Sequence, residues 1–261
     1  MNLVKKQSIV ALQTDIVWEN KDANHLVWER LLTQVQPAPE TLVVLPEMAA
    51  SGFSSNLELT AENTNGSSSE SVCSRLAALW KIYIICGLVR RTSPDRGLNQ
   101  SVVFAPDGSE LARYTKMQLF ALGGEAQVHI PGDHIVITEI NGIRTALFIC
   151  YDLRFPELFR EAAKQGAEMI VVIANWPIKR VDHWITLLQA RAIENQVWIV
   201  GVNRSGNDPH SIYPGQSLMV DCHGVVQTKP TSEEGFLLAH FDIEEQRSWR
   251  KEFPALQDRR F

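Results

Sequence analysis

Short apolar runs that end in a polar residue recur along the chain and set its first reading. Ile9–Gln13, Thr41–Pro46, Ile82–Val89, Ser101–Ala105, Ile135–Ile140, Thr145–Cys150, Met169–Ala174 and Val197–Val202 have the length and apolar content of strands. The middle runs hardly alternate, which is the pattern of strands buried on both faces. Segments with helical spacing lie between them. Asp22–Gln36 places Leu26, Val27, Arg30, Leu31 and Val35 at helical intervals, and Glu70–Lys81 does so with Val72, Leu76, Leu79 and Trp80. Pro156–Gln165 opens on a proline, which a first turn tolerates, and stops at Gly166, a residue suited to a C-terminal cap. Asp182–Asn195 is rich in good helix formers.

Pro106-Asp107-Gly108, Asn141-Gly142 and His223-Gly224 read as three hairpin connections. The low-complexity patch Asn63–Ser69 reads as a solvated loop. Helices, hairpins and βαβ units in this mixture predict one α/β (α+β) domain over residues 1–261, with two sheets covered by helices.

Composition narrows the partners. A net charge of −5, with no basic run longer than a pair, gives no electrostatic reason to expect nucleic acid or an acidic membrane surface. The expected partner is a small molecule or a second copy of the chain. Cys73, Cys86, Cys150 and Cys222 form no CxxC pair, which argues against a zinc site of the usual spacing. The N-terminus does not have a signal peptide's pattern, and no stretch approaches the ~18 apolar residues of a membrane span. A reduced, cytoplasmic protein is the expectation.

Four strand ends carry chemistry-bearing groups: Glu47 after LVVLP, Lys116 after the outgoing arm of the first hairpin, Cys150 after TALFI, and Asn175 after VVIA. Ligands of open α/β folds collect outside the carboxyl ends of strands, so these groups could converge on one cleft. Cys150 stands between a strand and a helix start, where a positive dipole favours a thiolate; a buried structural cysteine is the alternative. Glu47 follows a buried strand and a proline, a place that raises a carboxylate's pKa and suits proton transfer. A capping role is its alternative. Lys116 could equally be a surface lysine on a hairpin arm.

Three ordered segments carry a resemblance. LPEM at Leu45–Met48, YTKMQLF at Tyr114–Phe120 and ICYDLRFPE at Ile149–Glu157 resemble the signature segments of the nitrilase superfamily, a group of carbon–nitrogen hydrolases. ANWP at Ala174–Pro177, HW at His183–Trp184 and ARAIEN at Ala190–Asn195 extend it, so that it runs from the first strand to about Pro254. The resemblance implies a four-layer αββα sandwich that pairs into a homodimer. It also implies a Glu47–Lys116–Cys150 triad, a second glutamate at Glu125 ahead of Pro131-Gly132-Asp133, and no metal or organic cofactor. Met117-Gln118, Ala49-Ala50 and the segment Glu-Ala-Gln-Val depart from the usual pattern; they flank the pocket and bear on the substrate more than on the chemistry.

The mechanism implied is hydrolysis of an amide through a thioester. Cys150 attacks, Glu47 shuttles protons, and Lys116 with the backbone N–H of Tyr151 holds the oxyanion. Glu125 positions the amide nitrogen or the water. The charge of Lys116 is expected to favour ionised Cys150 and Glu47. Within the superfamily the chain most resembles the omega-amidases, which hydrolyse the terminal amide of alpha-ketoglutaramate and alpha-ketosuccinamate. An amidase for deaminated glutathione, an N-carbamoyl amide hydrolase or a nitrilase uses the same triad. A non-catalytic scaffold would show a decayed site, and a papain-like protease would need a His base beside the cysteine, for which His183 is available only on a helix of unremarkable pattern.

Arg154 could clamp a substrate carboxylate, or pair with Asp152 or Glu157. Phe120, Asn175 and Trp176 are candidate pocket residues, the two aromatics having ordinary core as their alternative. His183, Trp184, Arg191, Glu194 and Asn195 read mainly as scaffold, with Arg191 and Glu194 able to pair on a helix face. Asn203, Gly215 and Ser217 are expected at the rear of the site. The tail Glu244–Phe261 is expected to reach a neighbouring subunit.

Overall fold

The computed structural model describes residues 6–62 and 68–260, the side chain of Ser68 excepted. The loop expected at Asn63–Ser69 falls outside the described residues over 63–67, and its last two residues already belong to a helix. Among the described residues the strands are β1 (Lys6–Gln13), β2 (Leu42–Val44), β3 (Ala61–Glu62), β4 (Tyr83–Ser93), β5 (Arg96–Phe104), β6 (Glu110–Thr115) and β7 (Ile137–Ile140). They continue as β8 (Ile143–Ile149), β9 (Met169–Ala174), β10 (Trp198–Asn203), β11 (Ser205–Asn207), β12 (Ile212–Pro214), β13 (Leu218–Val220) and β14 (Gly235–Asp242). The helices are α1 (Lys21–Val35), α2 (Leu57–Thr60), α3 (Ser68–Trp80), α4 (Glu125–Val128), α5 (Pro156–Lys164), α6 (Val181–Asn195) and α7 (Ile243–Glu252).

The eight expected strands and four expected helices are all present, with shifted ends except for Met169–Ala174. Local chemistry sets those ends. Asn20 caps α1 by accepting from the Ala23 amide, and Gln36 closes it in a left-handed conformation. Pro156 occupies the first turn of α5, and Gly166 follows it at φ +90°. The Pro106-Asp107-Gly108 and Asn141-Gly142 turns join antiparallel pairs as expected. At His223-Gly224 the return arm makes only an isolated bridge between Val220 and Val226.

Two large sheets result, in the orders β14-β1-β2-β4-β5-β6 and β13-β10-β9-β8-β7, with β3 beside β4, and β11 and β12 form a separate two-stranded pair. β1, β2 and β4 run parallel, as do β8, β9 and β10. Period-two alternation divides the first sheet between two cores. Val10, Leu12, Val43, Ile84 and Cys86 pack against Trp28, Leu31, Cys73 and Leu76 of α1 and α3. Ile9, Ala11, Leu42, Val44 and Ile85 face the other way, into a core shared with the second sheet. That second sheet is covered by Phe159 and Ala162 of α5 and by Trp184 and Leu188 of α6. The layers are therefore αββα, and the near-continuous apolar runs of β8–β10 follow from burial on both faces.

β14 had no place among the expected strands. It is an edge strand pairing antiparallel with β1, and only alternate residues are inward: Leu237, Ala239 and Phe241 are buried, whereas Phe236 and Leu238 are exposed. The tail makes many contacts within its own chain. Asp242 caps α7, Gln246 is buried and donates to the Glu168 carbonyl, Arg247 pairs with Glu168, and Arg250 donates to the Gln196 and Ala167 carbonyls. Up to Phe253, whose carbonyl accepts from Gln196, the segment docks on its own chain. Among the described residues no helix is long and apolar enough to cross a membrane.

Candidate active site

Glu47, Lys116, Cys150 and Asn175 leave the carboxyl ends of β2, β6, β8 and β9 and meet at one place. The turn that delivers Glu47 lies on β4: the Gly87 amide donates to the Pro46 carbonyl at 3.1 Å, and the Ala49 amide donates to the Gly87 carbonyl at 2.9 Å. Only glycine fits there. A Cβ at Gly87 would lie 2.4 Å from the Pro46 oxygen and 2.5 Å from the Glu47 Cα. The Lys116 end is fixed similarly. The Gly132 amide donates to the Lys116 carbonyl, and a Cβ at Gly132 would stand 2.3 Å from the Thr115 oxygen. The Pro131-Gly132-Asp133 segment thus has a packing reason.

The side chains form a dry charge cluster. Lys116 Nζ lies 2.9 Å from Glu47 Oε1 and 2.8 Å from Glu125 Oε2, and all three side chains have no solvent exposure. Burial alone would push the Lys116 pKa down; the charges of Glu47 and then Glu125 outweigh it and hold the ammonium protonated. Burial likewise opposes ionisation of Glu125, but Lys116, the Phe120 amide and Asn99 bring its pKa below the usual carboxylate value. Glu47 Oε2 accepts from the Asn175 amide at 2.9 Å, and Asn175 Nδ2 donates to the Glu47 carbonyl at 2.7 Å. Asn175 therefore orients Glu47.

Cys150 sits at φ +46° at the head of a 3-10 turn, Cys150–Arg154, and α5 begins only at Pro156. The expected thiolate is not favoured here. Burial, then the Glu47 charge, raise the thiol's pKa well above its ordinary value; Lys116 lowers it, and the Glu125 charge raises it again. Two carboxylates outweigh one ammonium, so a thiolate would be a third anion in a dry site. A neutral thiol is therefore the favoured resting form. Asp152, fully buried below, accepts from the Ile149 and Gln118 amides and from Tyr114 OH.

A cavity of about 600 Å³ opens over this cluster, a usual size for a small-molecule site. Phe120, Asn175 and Trp176 line it, as do Tyr151 and Arg154. Arg154 pairs with neither Asp152 nor Glu157. It stacks over Trp176 at 4.9 Å and donates to His183 Nδ1 at 3.2 Å. Arg191 does pair with Glu194, at 3.0 Å. Asn203, Gly215 and Ser217 do not line the cavity. Asn203 accepts from the Trp176 amide and donates to the Trp176 and Gly215 carbonyls, holding the wall from behind. Among the described residues no group of three or more His, Cys, Asp and Glu is arranged to hold a metal.

Several site residues escaped the sequence reading. Asn99 of β5 donates through one nitrogen to Glu47 and to Glu125. Its signal was a run of polar residues, Asn-Gln-Ser, inside an apolar strand. His129 lines the cavity beside Glu125, and burial first of all lowers its pKa, keeping the imidazole neutral. Phe53 lies 5.6 Å from the Lys116 ammonium, and Arg180, Trp18, His210 and Tyr213 complete the walls.

This chain belongs to the carbon-nitrogen hydrolase family, whose model matches residues 8–251. An omega-amidase, YafV, of Yersinia enterocolitica is 34% identical over 252 residues, 96% of this chain and 95% of that protein. A 2-oxoglutaramate amidase of Bacillus subtilis (strain 168) is 31% identical, covering 97% of each chain. Among solved structures, XC1258 from Xanthomonas campestris, a CN-hydrolase superfamily protein with an arsenic adduct in its active site, superposes with a TM-score of 0.90. It is 29% identical and the match covers 98% of both chains. The chain is an enzyme of the class that acts on carbon–nitrogen bonds.

Proposed function

We propose that the enzyme is an omega-amidase, hydrolysing the terminal amide of a small dicarboxylate monoamide such as 2-oxoglutaramate to the 2-oxo acid and ammonia. The observation that carries the reading is the buried Lys116 ammonium between Glu47 and Glu125, with Cys150 lining the same cavity as Lys116 and Glu125. The two amidase relatives support the substrate class.

As Cys150 Sγ bonds to the amide carbon, Glu47 takes the thiol proton. Attack therefore never requires a free thiolate in the empty site. Negative charge moves to the carbonyl oxygen. Lys116 Nζ donates to Glu47 Oε1 and to both Glu125 oxygens, at 3.0 and 2.8 Å; one N–H shared between the two Glu125 oxygens leaves another of its three for the carbonyl oxygen, with the Tyr151 amide as second donor. One such donor is typically worth about 2.7–4 kcal/mol in the transition state. The tetrahedral adduct collapses, the C–N bond breaks, and Glu47 returns its proton to the departing ammonia. Water then enters, Glu47 takes one of its protons, and the C–S bond of the thioester breaks to give the acid and the thiol. Glu125 holds Lys116 and places the amide nitrogen and later the water. Arg154 receives the far carboxylate.

Ammonia release from 2-oxoglutaramate, 2-oxosuccinamate, glutaramate, deaminated glutathione, an N-carbamoyl amide and an aliphatic nitrile tests this. The 2-oxo monoamides should give the highest kcat/KM; preference for any of the last three would replace the reading. We also propose that residues 1–261 act as one domain, in a cytoplasmic homodimer paired through its helices. A monomeric mass in sedimentation would end the dimer.

A further inference from the structure

Two guanidinium groups line the cavity, and no carboxylate among the described residues lies within ion-pair distance of either. Arg154 is stacked over Trp176 and Arg180 lies 5.4 Å over the ring of Phe120, both rings being cavity walls. Trp176 also ties the two arginines together: its indole Nε1 donates to the Arg180 carbonyl at 2.6 Å. Burial and then the Arg180 charge lower the Arg154 pKa, while Tyr151 and Cys150 raise it. The two cations therefore feel each other, and one of them feels the nucleophile. Like charges held together in a partly dry wall repel, and an anion between them relieves that repulsion.

The acids of the cavity do not supply that anion. Glu125 pairs with Lys116, Glu19 accepts from Ser54, and Asp208 accepts from Tyr213 OH and from the His210 and Ser211 amides. None of the three is among the charges that act on Arg154.

We infer that Arg180 is a specificity-determining residue which, with Arg154, forms a two-arginine receptor for the far end of the substrate. Resting on the omega-amidase reading, the inference names what that end must be. A carboxylate with a neighbouring oxo oxygen offers acceptors to both guanidinium forks, whereas the ammonium of an α-amino acid would be pressed against two cations. Monoamides of 2-oxo acids are selected, and glutamine and asparagine are rejected, by the same two side chains.

The test compares wild type with Arg180→Gln and Arg180→Lys. For 2-oxoglutaramate, Arg180→Gln should raise KM by about 10- to 100-fold with kcat within about threefold, and Arg180→Lys, which keeps charge but loses the fork, should fall between. A second measurement needs no turnover: 2-oxoglutarate should protect Cys150 of the wild type against iodoacetamide, and at least tenfold more should be needed in Arg180→Gln. The alkylation rate without ligand should be the same in both, which a merely structural role for Arg180 would not preserve. Unchanged KM and unchanged protection would overturn the inference, as would a changed ligand-free alkylation rate. Arg180-dependent protection in an enzyme that hydrolyses no 2-oxo monoamide would overturn the omega-amidase reading and leave the receptor standing.

Discussion

Asn99 Nδ2 donates to Glu47 Oε1 at 2.7 Å, and its other proton goes to Glu125 Oε1 at 2.8 Å. A neutral amide thus shares with Lys116 the task of keeping two carboxylates in one dry site. Removing it leaves each with one acceptor oxygen less satisfied, a loss of about 1–3 kcal/mol. Asn99→Ala should lower kcat by about 10- to 100-fold, and Asn99→Asp, which adds a third carboxylate, should lower it further. Steady-state ammonia release from both variants checks the order.

Gly87 couples the first sheet to the base. With a Cβ 2.5 Å from the Glu47 Cα, the turn over β4 must move. Gly87→Ala should destabilise the fold by about 1–3 kcal/mol and also cost activity, because Glu47 moves with its backbone. Denaturant unfolding beside kcat reads both; full activity would contradict the geometry.

The state of Cys150 can be read by alkylation. Its folded pKa is raised above the ordinary thiol value, chiefly by burial and by Glu47. Reaction with iodoacetamide in the free enzyme should therefore keep rising through pH 9 without a plateau. A plateau below pH 8 would mean a thiolate at rest. Glu47→Gln removes one raising charge and should shift the rise to lower pH.

Asp152 gives a stability test with a definite sign. Burial raises its pKa from 3.8 to about 6, against the hydrogen bonds from Ile149, Tyr114 and Gln118 and the charge of Lys116. A raised folded pKa means that its contribution is complete below the unfolded value and is lost as pH rises through about 6. Between pH 5 and 7.5 the wild type should lose on the order of 1 kcal/mol relative to Asp152→Asn. Unfolding midpoints at the two pH values check this, and a loss of the opposite sign would contradict it.

Much of this architecture was legible along the chain, and the failures share a physical cause. Buried strands such as Met169–Ala174 announce themselves by unbroken apolar content, and β9 has those same bounds. Glu47 and Cys150 were found because each ends such a run, whereas Lys116, after the mixed arm Glu110–Thr115, was found only through the resemblance of Tyr114–Phe120. β14 was missed because an edge strand buries only every second residue. Asn99, Gly87 and Arg180 act across elements, and nothing within their own segments says what they touch. The thiolate expectation failed for the same reason: the strand-to-turn position of Cys150 is local, but the field on its sulfur sums Glu47, Glu125 and Lys116 from three other segments. Arg154 stayed open between two roles because the partners of Asp152 come from distant Tyr114 and Gln118.

Ammonia release by Cys150→Ala with 2-oxoglutaramate tests the nucleophile most directly, once an unchanged unfolding midpoint shows the fold is intact. A chemistry that runs through one sulfur predicts a fall of at least about 10⁴-fold. Release at the wild-type rate would mean that the acyl group is never carried on that atom.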